Sequence, residues 1–257
     1  MLDIAQIESF YPPVLRSFKR NLLREYLQYK ILDHIFHSKK AVKLVFMGGT
    51  AIHLLHGSGR FSEDLHFDNR GLDFDELGKL GEEILKALAM QGYDIESKIV
   101  AKSAWHLHLR FPRILYDSGI SGHRDEVLTI QVDTEPQRYD YAPQMVILNK
   151  FDVFSRIAVV PAPVLLSQKI CCLFTRKRPM GRDIFDIIFL LGKTGPDTAY
   201  LKAKLDIGDH SALRGKLLRR CEEIDFKQCA RDVEPFLFDA REAEKIEAFV
   251  DLVKARF

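Results

Sequence analysis

The residues best suited to chemistry lie between positions 48 and 68. A Gly48-Gly49-Thr50 turn is followed by residues 62–68, which read Ser-Glu-Asp-Leu-His-Phe-Asp. Metal-dependent phosphoryl transfer needs oxygen ligands that hold Mg²⁺ and donors that grip the phosphates. Alternate residues of a strand share one face, so Asp64, His66 and Asp68 are predicted to point the same way. A helix that starts at the glycine turn offers its first N–H groups to phosphates, so the two pieces predict one phosphate-binding cleft.

A second cluster of charged residues occurs further along the chain. Lys169 and Arg176 are seven residues apart, which puts them two turns apart on one face of a predicted helix. Asp183 and Asp186 are expected at the start of the next helix, where carboxylates favour the dipole and cap free N–H groups. The cluster predicts a basic wall that grips phosphates. Its other basic residues are Lys177, Arg178 and Arg182.

Both clusters also have a plain structural interpretation. The first is compatible with an ordinary turn, with Thr50 as a helix N-cap, and with exposed acids at the end of a strand. The second is compatible with a solvated run of charges between two helices. Local spacing alone leaves these alternatives open.

The surrounding pattern predicts a helix at residues 14–38, followed by a mixed sheet with two helices at residues 42–133. Alternating or short apolar runs indicate strands, and spacings of three or four indicate amphipathic helices. The predicted strands are Val42–Met47, Leu65–Phe67, Ile95–Ala101, Trp105–Phe111 and Val127–Asp133. The predicted helices are residues 14–38, a short helix capped by Thr50 with its body at residues 51–55, and Asp73–Ala89. Residues from Tyr139 to Pro161 receive no assigned element.

The pattern changes near residue 160, after which only helices are predicted. They are Val164–Arg176, Asp183–Leu191, Leu201–Leu205, Ser211–Ile224 and Arg241–Phe257. The sequence therefore predicts an α+β chain with a sheet-bearing domain at residues 1–160 and a helical domain at residues 161–257.

Composition excludes several classes of protein. The 257 residues carry 38 Lys and Arg against 36 Asp and Glu, a formal net charge of +2, so coating of nucleic acid by bulk charge is excluded. A hydrophobic fraction of 47% excludes overall disorder. The four cysteines form no CxxC pair, which excludes a zinc ribbon and a thioredoxin-like motif. With no signal segment or membrane span in the pattern, a reduced cytoplasmic protein without membrane contact is expected.

His106 and His108 alternate with apolar residues along one predicted strand. No third metal ligand follows at a suitable spacing. The two histidines are therefore predicted to form a half-exposed polar face and not a metal site.

Taken in order, the motifs resemble those of a known family. Gly48-Gly49-Thr50-Ala51, then Arg60-Phe61-Ser62-Glu63-Asp64-Leu65, a lysine about 100 residues later and Arg182-Asp183-x-x-Asp186 are similar to AbiEii/AbiGii-type abortive-infection toxins. These toxins are minimal nucleotidyltransferases of the DNA-polymerase-β-like superfamily. The resemblance spans most of the chain, including residues 17–47 and Pro235-Phe236-Leu237. It implies a nucleotidyltransferase-like mixed sheet flanked by helices and followed by a helical bundle, with the active cleft between them.

The resemblance also implies site residues, an NTP substrate and Mg²⁺ or Mn²⁺ as cofactor. The implied catalytic residues are Asp64, Lys169 and Asp186. The implied nucleotide-binding residues are Gly48, Gly49, Thr50, Ser62, Arg176, Arg182 and Asp183. The implied metal ligands are Asp64, His66 and Asp133. Lys169 is expected near the triphosphate, where it would neutralise charge on the departing pyrophosphate.

One position departs from the family pattern, which usually has aspartate where this chain has His66. Imidazole is a softer and neutral ligand, better suited to zinc, nickel or manganese than to magnesium. Three outcomes follow: His66 serves as a ligand, Asp68 replaces it, or the site is weakened or silent. Asp133, which is opposite in phase to the apolar residues of its strand, is the candidate third carboxylate, with Glu135 in reserve.

The resulting functional expectation is a toxin of a toxin–antitoxin or phage-defence pair. It would transfer a nucleotide to an acceptor such as RNA or tRNA, and a DNA-binding antitoxin would be encoded alongside. Two alternatives are a catalytically silent nucleotide- or RNA-binding protein of the same fold and a nucleotidyltransferase that modifies a small molecule.

Overall fold

A mixed β-sheet forms where apolar residues alternate with polar ones. The computed structural model describes residues 2–101 and 104–257, and the sheet within that range has seven strands. They are β1 Leu44–Met47, β2 Leu65–Asn69, β3 Glu96–Ala101, β4 Trp105–Phe111, β5 Leu128–Glu135, β6 Gln144–Lys150 and β7 Val153–Val159.

The strands lie in the order β3-β4-β5-β2-β1-β7-β6. The pairs β2/β5 and β1/β7 are parallel, and the other neighbours are antiparallel. In β5 the side chains of Leu128, Ile130 and Val132 are buried, while Asp133 lies on the opposite, partly exposed face. The predicted phase of Asp133 is therefore confirmed.

Along the chain, helices precede the first strand, lie between strands and follow the last strand. They are α1 Ile4–Ser9, α2 Lys19–His37, α3 Gly48–His56, α4 Phe74–Met90, α5 Ile114–Asp117, α6 Ala162–Thr175, α7 Gly181–Leu191, α8 Thr198–Leu205, α9 His210–Cys221, α10 Phe226–Val233, α11 Glu244–Glu247 and α12 Phe249–Arg256. Every element of the described chain after residue 160 is helical, as predicted. No helix in residues 2–101 and 104–257 is long and apolar enough to cross a membrane.

Helix α4 packs on the part of the sheet formed by β3 and β4. Asp73 begins it with a reciprocal capping box, in which its side chain accepts from the N–H of Glu76. Gly81 allows close approach, because a Cβ there would lie 2.8 Å from Cδ1 of Leu107 on β4. Since alternate residues of a strand face opposite ways, His106 and Asp133 are left on the other face.

Several predicted boundaries are wrong for identifiable reasons. Helix α3 begins at Gly48, whose φ of +81° suits glycine, so Thr50 is the third helical residue and not the N-cap. Helix α6 ends at Thr175, and Arg176 has an extended backbone. Helix α7 begins at Gly181, so Asp183 lies inside its first turn and makes no cap. The predicted helix over 241–257 is divided into short segments.

The strands β6 and β7 occupy the segment that the sequence pattern left unassigned. In β7 the hydroxyl residue Ser155 is buried, whereas Phe154 is 69% exposed. This inverted placement of apolar and polar side chains hides the usual signature of a half-buried strand.

The chain divides into two compact units. Unit 1 comprises Met1–Ala51, Ser62–Arg138 and Pro143–Val159. Unit 2 comprises Ile52–Phe61, Tyr139–Ala142 and Val160–Phe257. The domain limits 1–160 and 161–257 stay a prediction.

Candidate functional site

In unit 1, three polar residues lie side by side on neighbouring strands. His66 of β2 is opposite Asp133 of β5, and Asp133 is opposite His106 of β4. The Nδ1 atom of His106 lies 2.6 Å from Oδ1 of Asp133. The Nδ1 atom of His66 lies 3.5 Å from Oδ2 of the same carboxylate. The predicted neighbours His66 and Asp133 are thus brought together, and His106 joins them.

Gln131 completes the surroundings of the Asp133 carboxylate. Its amide nitrogen donates to Oδ1 at 2.7 Å and lies 2.9 Å from Oδ2. Oδ1 therefore contacts both His106 and Gln131, while Oδ2 contacts Gln131 and faces His66. Because residues 131 and 133 are two apart on one strand, their side chains share the same face.

Asp64 lies one residue before β2, close to the same group. Burial raises the pKa of Asp64, and the nearby negative charges of Asp133 and Glu63 raise it further. A hydrogen bond from the backbone N–H of Gln131 opposes that rise by stabilising the carboxylate. The proximity of two carboxylates is the electrostatic situation that a bound cation relieves.

Buried side chains hold the backbone of residues 62–64 in place. The hydroxyl of Thr50 donates to the backbone carbonyl of Asp64 and lies 2.9 Å from the Ser62 hydroxyl. The amide of Gln28 on α2 donates to the carbonyls of Ser62 and Glu63, each at 2.9 Å. The Thr50 hydroxyl is fully buried and bonds to the Asp64 carbonyl, and the nucleotide-binding role that the resemblance implies for Thr50 stays a prediction.

The start of helix α3 lies against His66. Met47, the last residue of β1, is opposite His66, and a Cβ on the next residue, Gly48, would lie only 3.0–3.2 Å from the His66 side chain. The first N–H groups of a helix have no partner within the helix and favour anions. The Gly48-Gly49-Thr50 helix start and the His66–Asp133 pair are therefore adjacent parts of unit 1.

The two reserve ligands are placed differently. Asp68 is buried, accepts the backbone N–H of Gln137 at 2.8 Å and lies 3.3 Å from Nε of Arg70. The contact with Gln137 ties Asp68 to the segment that follows β5, and Arg70 directly follows β2 itself. Glu135 is exposed at the end of β5, opposite Asp68. The contacts described here for Asp68 and Glu135 are with residues other than His66.

The donor chemistry of this face fits a divalent cation that accepts nitrogen as well as oxygen. Among residues 2–101 and 104–257, no three His, Cys, Asp or Glu side chains are already arranged to hold a metal ion. Two donors lie near a suitable separation: ligands about 2.1 Å from one ion are about 3.0 Å apart at an octahedral angle and about 3.4 Å apart at a tetrahedral angle. His66 and Asp133 are 3.5 Å apart at their nearest nitrogen and oxygen. An imidazole beside carboxylates favours Mn²⁺ or Zn²⁺ over Mg²⁺, which prefers oxygen.

In unit 2, the second predicted cluster forms a buried network of charges. Lys169 Nζ lies 2.8 Å from Oδ1 of Asp183 and 2.9 Å from Oδ2 of Asp186. Arg60 binds Asp186 through two parallel contacts, 2.7 Å from Nε to Oδ1 and 2.6 Å from Nη2 to Oδ2. Arg176, which is half-exposed, lies 3.1 Å from Oδ2 of Asp183. The interpretation as a solvated charge run is wrong for Lys169, Asp183 and Asp186, which are buried, whereas Lys177 and Arg178 are exposed as it expected.

The pairing decides the charge states within this network. Burial alone would lower the pKa of Lys169, but the carboxylates of Asp183 and Asp186 raise it above its ordinary value. Burial alone would raise the pKa of Asp186, but the adjacent Arg60 and Lys169 hold it below its usual range. Lys169 and Asp186 are therefore both charged at neutral pH, and each is compensated by a direct partner.

Arg182 stands apart from this network. It is partly exposed on α7, and within the described chain no hydrogen bond or ion pair joins its side chain to another residue. Arg60 and His106 are the residues that sequence reasoning missed. Arg60 is 126 positions from its partner Asp186, and His106 is 27 from Asp133, so no local spacing could have paired them.

Comparisons with known proteins agree with this architecture. The model of the family described as nucleotidyl transferase AbiEii toxin, type IV toxin–antitoxin system, matches residues 30–255. The crystal structure of JHP933 from Helicobacter pylori is similar at 20% identity and a TM-score of 0.53, with 92% of each chain covered. A second H. pylori protein, proposed to be a nucleotidyltransferase, has 20% identity and a TM-score of 0.54, covering 92% of this chain and 95% of that chain. No curated protein sequence matches the chain. The predicted family and fold are confirmed.

Proposed function

The chain belongs to the AbiEii nucleotidyl transferase toxin family, and from that premise we propose that it transfers a nucleotide from an NTP to an acceptor. In this reaction an acceptor oxygen bonds to the α-phosphorus while the bond to the departing pyrophosphate breaks. The work of the protein is to position the phosphates and to stabilise the negative charge that develops on them.

The observation that carries this proposal is the contact between the start of α3 and the His66–Asp133 pair. The N–H groups at Gly48, Gly49 and Thr50 orient the phosphates, which supplies the predicted nucleotide-binding role through backbone and not through the Thr50 hydroxyl. Asp64, His66 and Asp133 hold the divalent cation, Mn²⁺ or Mg²⁺, which neutralises phosphate charge when bound. Ser62 contributes by fixing Thr50 and the segment before Asp64.

The charge network of unit 2 has a separate role in this proposal. Lys169, Asp183 and Asp186 bind one another, and Arg60 and Arg176 complete the network, so its first task is to keep the helices α6 and α7 in register. The expected contacts of Lys169, Arg176, Arg182 and Asp183 with the nucleotide, and the catalytic role of Asp186, stay predictions.

The biological partners follow from the family in general terms. A type IV toxin–antitoxin family implies an antitoxin counterpart and a nucleotide substrate. We propose further that RNA, such as the end of a tRNA, is the acceptor, and that the antitoxin is a DNA-binding protein encoded alongside.

A second candidate is a protein of the same fold that binds nucleotide without transferring it. The observation that favours it is that Oδ1 of Asp133 already contacts both His106 and Gln131. The other oxygen, Oδ2, also lies 2.9 Å from the Gln131 amide nitrogen, so a cation would have to share this carboxylate with existing partners.

An assay that follows transfer of a labelled nucleotide to an acceptor distinguishes these functions. Purified protein is incubated with each α-labelled NTP, Mn²⁺ or Mg²⁺, and total RNA or a small-molecule extract. We expect metal-dependent label on RNA, abolished in Asp64→Asn and Asp133→Asn and retained in the matched control Asp125→Asn, an exposed loop residue. Nucleotide binding without any transfer would establish the silent protein, and label only on small molecules would establish that alternative.

A further inference from the structure

His106 makes the shortest contact to the Asp133 carboxylate among the described residues. Its Nδ1 atom lies 2.6 Å from Oδ1, and both side chains are mostly buried, with 21% and 14% of their surfaces exposed. The strand register sets the pair, because residues 106 and 133 are directly opposite across β4 and β5. This contact therefore fixes the orientation of the carboxylate.

The same contact distinguishes the two oxygens of Asp133. His106 and Gln131 both act on Oδ1, whereas Oδ2 contacts Gln131 and lies 3.5 Å from Nδ1 of His66. That 3.5 Å gap is longer than a strong hydrogen bond and close to the separation of two ligands on one ion. The less engaged oxygen is thus the one that faces the second candidate ligand.

We propose that His106 is a positioning residue, which holds Oδ1 of Asp133 so that Oδ2 and His66 Nδ1 form a ligand pair for a divalent cation. The proposal rests on the proposed function, since it assigns Asp133 and His66 to the cation. Partners behind a ligand commonly change metal affinity 10–100-fold when they are removed. His106 itself makes no contact with the cation or the nucleotide in this arrangement.

His108 provides a matched control on the same strand face. Its ring centroid is 6.3 Å from that of His106, and it is opposite Gln131 in the sheet. Of the described residues, His106 and Gln131 bond to Asp133 and His108 does not. A general effect of removing an imidazole from this face would appear equally at both positions.

The test is Mn²⁺ binding without nucleotide, measured by calorimetry and by the loss of the free-ion paramagnetic resonance signal. We expect His106→Phe to weaken binding about tenfold or more. His106→Asn, which keeps a donor near the place of Nδ1, is expected to stay within about threefold of wild type. His108→Phe is expected to bind as wild type does. Thermal unfolding of each variant shows whether the affinity change occurs in folded protein.

Two outcomes overturn different statements. Wild-type Mn²⁺ affinity in folded His106→Phe, together with loss of binding in Asp133→Asn, would refute the positioning role and leave the proposed site intact. Unchanged affinity in Asp64→Asn and Asp133→Asn would refute the cation site itself. Should His106→Phe fail to fold, His106→Gln displaces the donor by one bond, and affinity equal to that of His106→Asn would refute the role.

Discussion

At the scale of single residues, the buried hydroxyl of Thr50 holds the backbone of Asp64, a candidate cation ligand, in place. Its hydroxyl is buried and bonds to the carbonyl of Asp64, while its backbone lies in the first turn of α3. One residue thereby joins the start of α3, the proposed phosphate-binding segment, to the first candidate cation ligand. Its hydroxyl is needed for position, and its N–H remains the group suited to phosphate.

Substitution of Thr50 separates these two contributions. Thr50→Val keeps the shape but leaves the Asp64 carbonyl and the Ser62 hydroxyl without this partner, so unfolding free energy should fall by about 1–3 kcal/mol. Mn²⁺ affinity should fall as well. Thr50→Ser loses one methyl group, about 1 kcal/mol, and should retain Mn²⁺ affinity. Urea unfolding and calorimetry measure both; identical Mn²⁺ affinity in the two variants would contradict a positioning hydroxyl.

The sequence predicts the part of the candidate site that depends on local periodicity. Asp64, His66 and Asp133 could be assigned to a sheet face because side chains alternate along a strand. The partner of Asp133 on β4 and the pairing of Arg60 with Asp186 could not, since both depend on how distant segments meet. Lys169 was placed correctly on a helix, but its two carboxylate partners became evident only from the packing of α6 and α7.

At the scale of elements, α7 packs closely against α10 because its first residue is a glycine. A Cβ on Gly181, the first residue of α7, would lie 1.8 Å from the carbonyl oxygen of Cys229. The same helix carries Asp183 and Asp186, which bind Lys169 of α6. Any displacement of the α7 start is therefore expected to disturb the buried charges two and five residues later.

Exchange of glycine for alanine tests this close packing. Gly181→Ala should lower the unfolding free energy by about 1–3 kcal/mol or more, because backbone must move to admit the methyl group. Gly215→Ala is the matched control: it lies inside α9 with nothing within 4 Å of its Cβ position. That change should stabilise the protein by about 0.5–1 kcal/mol through helix propensity. Chemical denaturation measures both, and a neutral Gly181→Ala would contradict the contact.

Strands β6 and β7 could not be predicted from the hydrophobic pattern of the sequence. Ser155 is buried in β7, where its hydroxyl bonds to Asp33 of α2, whereas Phe154 is exposed. A polar residue is tolerated inside because α2 supplies its partner. Alternation of hydrophobicity then no longer reports which face is buried, and only the tertiary contact does.

At the scale of the whole molecule, the numbers of positive and negative residues are nearly equal, but several charged residues are buried in one cluster. The chain has a formal net charge of +2, yet Arg60, Lys169, Asp183 and Asp186 are buried together in unit 2. Removing one member of a buried pair leaves an uncompensated charge and typically costs about 3–5 kcal/mol. Titration of one member should have a related effect, which makes the stability of unit 2 dependent on pH.

Asp186 determines the direction of that dependence. Its pKa in the folded protein lies below the ordinary value of about 3.9, because the effects of Arg60 and Lys169 exceed that of burial. The unfolded chain therefore takes up this proton first as the pH falls. The stabilising contribution of ionised Asp186 is complete above about pH 5 and is lost as the pH falls through 3.9 toward the folded value.

Acid unfolding of wild type and Asp186→Asn provides the measurement. Urea unfolding followed by helical circular dichroism should show wild-type stability falling steeply below about pH 4. Asp186→Asn should be less stable at neutral pH and should lose less on acidification, because it lacks this titrating group. Asp64→Asn is the matched control: burial and the nearby Asp133 raise the pKa of Asp64, so protonation there favours the folded state at low pH. Asp64→Asn should therefore lose unfolding free energy more steeply than wild type as the pH falls. The same pH dependence of unfolding free energy in wild type and Asp186→Asn would contradict the lowered pKa of Asp186.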